Sequence, residues 1–116
     1  YFTGNIRIVK GTTDMNKQGV LTMLGFAQKA GKLAAGEAAV ENFLKKEKIV
    51  LLVMSDELSD NRKEYWTKQA EYANVDILTV EISKLDLGWA IGNSPRGIIG
   101  IMDQGMAEAI RKKIAE

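Results

Sequence analysis

Three observations predict one layered α/β/α domain built on a mixed sheet of about four short strands. Short apolar runs rich in β-branched residues alternate with segments of helical periodicity. The 116 residues suit a single domain. A composition of 46% hydrophobic and 27% charged residues is ordinary for a folded chain. Strands that alternate with helices bury their apolar faces by stacking into layers.

The chain opens with Tyr-Phe-Thr-Gly-Asn-Ile-Arg-Ile-Val-Lys-Gly-Thr-Thr-Asp before Met15. Helical spacing begins only at Asn16, so residues 1–14 read as an extension and residues 15–116 as the domain. The alternative is a strand over residues 6–9. In residues 16–30, Val20, Leu21, Leu24 and Ala27 recur at helical spacing. Asn16 or Asp14 suits the cap, and Gly31 the stop. Leu33-Ala34 is a short extended piece. Gly36, Ala39, Val40, Phe43 and Leu44 then form one stripe of a second helix over residues 36–46.

Ile49-Val50-Leu51-Leu52-Val53-Met54 is continuously apolar and predicts a strand covered on both faces. Ser59 caps a third helix that runs to Ala73, with Asp60 and Glu64 in its first turns. Trp66 falls on its apolar stripe. Residues 75–82 form a second main strand. Ser83-x-x-Asp86 resembles a capping box and opens a short helix through Gly92. Residues 97–102 form a third main strand. Asp103 caps a last helix, with Met106, Ala107, Ile110 and Ile114 inward and Arg111, Lys112 and Lys113 near its end.

The chain has no Cys and no His. Disulfides, thiol catalysis and thiolate zinc sites are excluded, and the commonest general base is missing. No Ser-His, Cys-His or paired-acid arrangement supports acyl or glycosyl transfer. Ser83 beside Lys84 suggests a dyad, but its capping role explains it. Asp56, just past an apolar strand, lacks the second acidic site that a phosphoacceptor aspartate needs. No catalytic residue, metal ligand or cofactor is therefore assigned. The longest apolar run is far short of the roughly 20 residues of a membrane helix. No signal peptide precedes the domain, so a cytoplasmic protein is expected.

Charge is uneven along the chain. Residues 17–48 carry six Lys and three Glu, a net +3, whereas residues 56–108 carry five bases and ten acids, a net −5. Such asymmetry steers a polyanion to one face. Gly36 at a helix start, with Lys29 and Lys32 nearby in sequence, offers backbone N–H groups and positive charge to a phosphate. The loop Gly92-Asn93-Ser94-Pro95-Arg96-Gly97 holds one cation and turn-forming residues before a buried strand.

Several segments, in order and spacing, resemble one family. They are Gly31-Lys32-Leu33-x-x-Gly36-Glu37-x-x-Val40, the run from Ile49 to Asp56, Val75-Asp76-Ile77-x-x-Val80, Ser83-Lys84-x-x-Leu87-Gly88-x-Ala90-x-Gly92, and Arg96 through Asp103-x-Gly105. The pattern is similar to the ribosomal protein L7Ae family, which includes the L30e proteins, and looks closest to its small bacterial members. Ser-Lys-x-x-Leu-Gly is the most specific piece. The resemblance implies a three-layer fold and binding of structured RNA, the kink-turn with its sheared G·A pairs in particular. It places RNA contacts on Lys32, Gly36, Glu37, Ala38, Ala39 and Asn42, and on Ser94, Pro95, Arg96, Gly97 and Ile98. Lys29 joins them on charge.

Ala38, Ala39 and Asn42 stand where many kink-turn binders have Asn, Glu and Lys, and Asp76-Ile77 stand where a proline and an aromatic are often found. The expected protein is a non-catalytic, monomeric RNA binder tied to the ribosome or translation, with ribosomal or other kink-turn RNA as partner. Its alternative is a protein-interaction module on the same fold.

Overall fold

The structure, a computed structural model, describes residues 8–9 and 16–115. The elements run β1 (Ile8–Val9), α1 (Lys17–Lys29), β2 (Leu33–Ala35), α2 (Glu37–Lys45), β3 (Leu51–Ser55), α3 (Asp60–Ala73), β4 (Asp76–Val80), α4 (Lys84–Ala90), β5 (Ile98–Ile101) and α5 (Gln104–Ala115). The sheet order is β1-β4-β3-β5-β2. β1 and β3 lie parallel to β4, whereas β5 lies antiparallel to both β3 and β2. The sheet is mixed, as expected. Four strands match the sequence pattern, and β1 adds a short fifth at the edge. The strand alternative for the opening segment is thus realised at residues 8–9, while the rest of residues 1–14 and Met15 lie outside the described residues.

The chemistry at each boundary explains its place. Asn16 Oδ1 accepts from the Gly19 N–H at 2.9 Å, so Asn16, and not Asp14, caps α1. Gly31 takes φ 71 and ends the helix. Ser59 and Ser83 cap α3 and α4 through the N–H groups of Arg62 and Asp86. Asp103 Oδ2 accepts from the Met106 N–H at 2.9 Å at the start of α5. Each cap satisfies a donor that a helix start leaves open.

Alternation along the strands divides the core. Leu51, Val53, Leu78, Val80, Ile99 and Ile101 face one cluster with α1, α4 and α5. Leu52, Met54, Ile77 and Ile98 face the other, with α2 and α3. This is the three-layer arrangement. Trp66 is fully buried in the second cluster, as its stripe position predicts. Asp76, at the family's proline position, ion-pairs with Arg111 at 2.6 Å and fastens α5 to the start of β4. Arg111 is thereby drawn from the basic terminal run into a partly buried bridge.

The sheet brings one set of chain ends together. β2, β3 and β4 finish where β5 begins: Gly36 N–H donates to the Ile98 carbonyl at 3.0 Å, Ser55 N–H to the Gly97 carbonyl at 2.9 Å, and Asp56 N–H to the Val80 carbonyl at 3.0 Å. Carboxyl ends of strands are where open α/β sheets place their ligands.

Candidate functional site

At that end lies a cleft of 490 Å³ between the first turn of α2 and the loop that enters β5. One wall is Gly36, Glu37, Ala38 and Ala39, and the other is Pro95, Arg96 and Gly97, with Ile98, Ala35 and Leu58 completing it. Two segments far apart in sequence are thus brought face to face.

Gly36 serves at the start of α2 with φ 87, a left-handed value that side chains disfavour. It has no side chain to accept from the first turn, so the N–H groups there stay open at the positive end of the helix dipole. A Cβ at Gly36 would also stand 3.3 Å from Arg96 Nε, which shows how closely the arginine stem crosses the turn. The Arg96 guanidinium is held by its own loop. Nη1 donates to Ser94 Oγ at 2.6 Å and to the Pro95 carbonyl at 3.0 Å, and Nη2 donates to Asn93 Oδ1 at 3.3 Å. Ser94 therefore positions the cation, although it does not line the cleft.

The Ser-Lys-x-x-Leu-Gly motif is the mount for this loop. Ser83 caps α4, and the Lys84 carbonyl accepts from the Arg96 N–H at 3.0 Å. Leu87 is buried in the core. Gly88 accepts the Asn93 N–H at 2.8 Å, and a Cβ there would lie 2.2 Å from the Ser94 carbonyl oxygen. No side chain fits between α4 and the loop. Gly97 is tight as well, since a Cβ there would stand 2.4 Å from Leu58 Cδ2, although that side-chain end can shift where the loop backbone at Gly88 cannot.

Glu37 would place a negative charge at the cleft mouth, but Arg62 of α3 pairs with both its oxygens, through Nη2 to Oε1 and through Nε to Oε2 at 3.2 Å. Arg62 also lies 4.4 Å over the Tyr65 ring, and Tyr65 Oη donates to Glu41 Oε2 at 2.7 Å. The hydrogen bond to Glu37 raises the Arg62 pKa above the ordinary guanidinium value. The bond to the Glu41 carboxylate raises that of Tyr65 above 10.0.

Four expectations of placement need correction. Lys32 does not sit beside the start of α2. Its carbonyl accepts from the Met102 N–H at 2.8 Å, at the far end of the β2–β5 pair. A strand advances roughly 3.3 Å per residue, so about 13 Å of extended backbone separate Lys32 from Gly36. Lys29, at the end of α1, lines a different cavity with Phe26 and Trp89. Ile98 is not an exposed loop side chain: it opens β5 and is 1% exposed in the core, so it cannot stack on a base. Asn42 is exposed on α2, beyond the residues that line the cleft. Sequence reasoning missed Arg62, Leu58 and the mounting role of Lys84. Only the last had a signal, the Ser-Lys motif itself.

Among the described residues no cluster of three or more acids forms a metal-binding group, and no helix is long and apolar enough to cross a membrane.

Known proteins agree with this architecture. The chain is 28% identical over 99 residues to the RNA-binding protein YlxQ of Enterococcus faecium, covering 85% of this chain and 94% of that one. It is 30% identical over 88 residues to the RNA-binding protein YlxQ of Bacillus subtilis, covering 76% of this chain and 87% of that one. A Bacillus halodurans protein of unknown function superposes with a TM-score of 0.77 at 26% identity, over 84% of this chain and 97% of that one. The Giardia lamblia 15.5kD RNA binding protein shares the fold, with a TM-score of 0.69 at 14% identity over 85% of this chain and 84% of that one. The profile of the ribosomal protein L7Ae/L30e/S12e/Gadd45 family matches residues 18–111, and the chain belongs to that family.

Proposed function

We propose that this protein binds RNA through the cleft between α2 and the loop before β5, without catalysis. The target is a structured, kink-turn-like RNA, and the protein acts as a cytoplasmic monomer associated with the ribosome or translation. One observation carries the reading. The uncapped first turn of α2 and the loop-held Arg96 face each other across a single cleft. Helix N–H groups and a fixed guanidinium are the donors that phosphates and base edges accept. Family membership and the names of the YlxQ relatives support RNA as the partner.

Ala38 and Ala39 cannot hydrogen-bond a base edge, so recognition falls to backbone N–H groups, Glu37 and the shape of the cleft. Bent RNA with a widened groove admits a helix end that regular A-form RNA excludes. The pairing of Glu37 with Arg62 removes a charge that would repel phosphate. The second reading, a protein-interaction module, draws on the same two alanine methyls, which present apolar surface.

Amide chemical-shift mapping separates them. Addition of a kink-turn duplex should shift the amides of Glu37, Ala38, Ala39, Arg96 and Gly97 and spare those of α5. Shifts spread over many lysines with the cleft untouched would overturn the cleft as the RNA site.

A further inference from the structure

Lys29 and Trp89 play no part in the cleft, yet they line one cavity elsewhere. A second cavity, of 410 Å³, lies between α1 and α4. Trp89 and Phe26 stand on its walls, 79% and 53% exposed. Rings of that size are usually buried to a greater degree. Gln18 and Thr22 add polar tips, and Lys29 a cation. The acid of this groove, Asp86, is paired with Lys17 at 3.0 Å, and α1 itself contains no acidic residue. The local balance is therefore positive. Gly25 keeps the floor flat, since a Cβ there would press on the Ala90 carbonyl at 3.1 Å.

Two exposed aromatic faces beside a lysine are the elements of single-strand recognition, in which bases stack and the backbone meets positive charge. An aliphatic helix partner would ask for a continuous hydrocarbon surface, which Gly25 and the polar tips interrupt. We propose that this groove takes an unpaired nucleobase of the bound RNA, stacked on Trp89 and flanked by Phe26, with Lys29 on the adjoining phosphate. Position favours it as well. Gly88 carries the cleft loop on one side of α4, and the next residue, Trp89, opens toward the groove. The inference rests on RNA as the partner but not on the cleft's preference for bent RNA.

Trp66 is 0% exposed, so quenching of emission by an added oligonucleotide reports on Trp89. The probe is a single-stranded oligoadenylate, which contains no G·A pairs, titrated into the intact chain. Quenching should occur in the wild type and persist in Arg96→Glu. Trp89→Ala should weaken oligoadenylate binding, followed by anisotropy, by about tenfold or more, the range measured for loss of a stacked base. Lys29→Ala should flatten its salt dependence. Absence of quenching, or unchanged affinity in Trp89→Ala, would overturn the groove while leaving the cleft intact. Loss of the kink-turn preference in Arg96→Glu with quenching retained supports both sites as separate.

Discussion

At the residue scale, the site depends on places where a side chain cannot be. Gly88 is the clearest case. A methyl group there would meet the Ser94 carbonyl oxygen at 2.2 Å, well inside contact distance. The loop must move away from α4, and the Arg96 N–H then loses the Lys84 carbonyl that fixes its height. Gly88→Ala should destabilise the fold by about 1–3 kcal/mol, the usual cost of overpacking. It should also weaken RNA binding beyond that loss, because Arg96 leaves the cleft rim. Chemical denaturation and an RNA titration of the same variant measure the two effects. Unchanged stability with unchanged binding would refute the mounting role. The residue type at position 88 is legible in the sequence as part of Ser-Lys-x-x-Leu-Gly. Its reason is not, because the contact that forbids a side chain comes from a loop that returns to α4.

At the element scale, α2 and α3 are joined by a seam of alternating partners: Glu37 with Arg62, Arg62 over Tyr65, and Tyr65 with Glu41. Residues four apart on α2 meet residues three apart on α3, the spacings at which helix neighbours share a face. The seam has a pH signature. Tyr65 has its pKa raised above 10.0, chiefly because its hydroxyl donates to the Glu41 carboxylate. The folded state therefore holds this proton more tightly than the unfolded chain does. Stability from the bond is fully present below pH 10.0 and is lost as pH rises through the raised folded value. Alkaline difference absorbance should show one tyrosine titrating late, and Tyr65→Phe should abolish that component. A tyrosine set titrating together at the ordinary value would contradict the seam.

The elements themselves were largely readable. Caps at Ser59, Ser83 and Asp103, apolar runs and helical stripes gave the order and nearly all boundaries. What escaped was relative placement. Lys32 is four residues from Gly36 in sequence, yet β2 carries the two to opposite ends of the sheet. Nothing in a run of Leu33-Ala34-Ala35 states that it pairs antiparallel with β5. The full exposure of Trp89 is only partly legible, since α4 is seven residues long and too short to show a periodic face.

At the scale of the whole molecule, the cations assigned to RNA contact fall in two regions. Arg96 and the neutralised Glu37 stand at the carboxyl ends of the strands. Lys29 and Lys32 stand where α1 ends and β2 begins. The net +3 of residues 17–48 is thus not one patch at the cleft, as adjacency in sequence suggests. Reversing Lys32 should lower affinity for any RNA alike, through loss of counterion release. Reversing Arg96 should remove discrimination between RNAs.

That contrast sets the decisive measurement, a titration at fixed salt with two RNAs. One is a kink-turn duplex, and the other carries Watson–Crick pairs in place of its G·A pairs. The account predicts tighter binding of the kink-turn, a preference abolished by Arg96→Glu and retained at lower overall affinity by Lys32→Glu. Equal binding of both RNAs that fades together as salt is raised would contradict it, and would leave only non-specific attraction to phosphate.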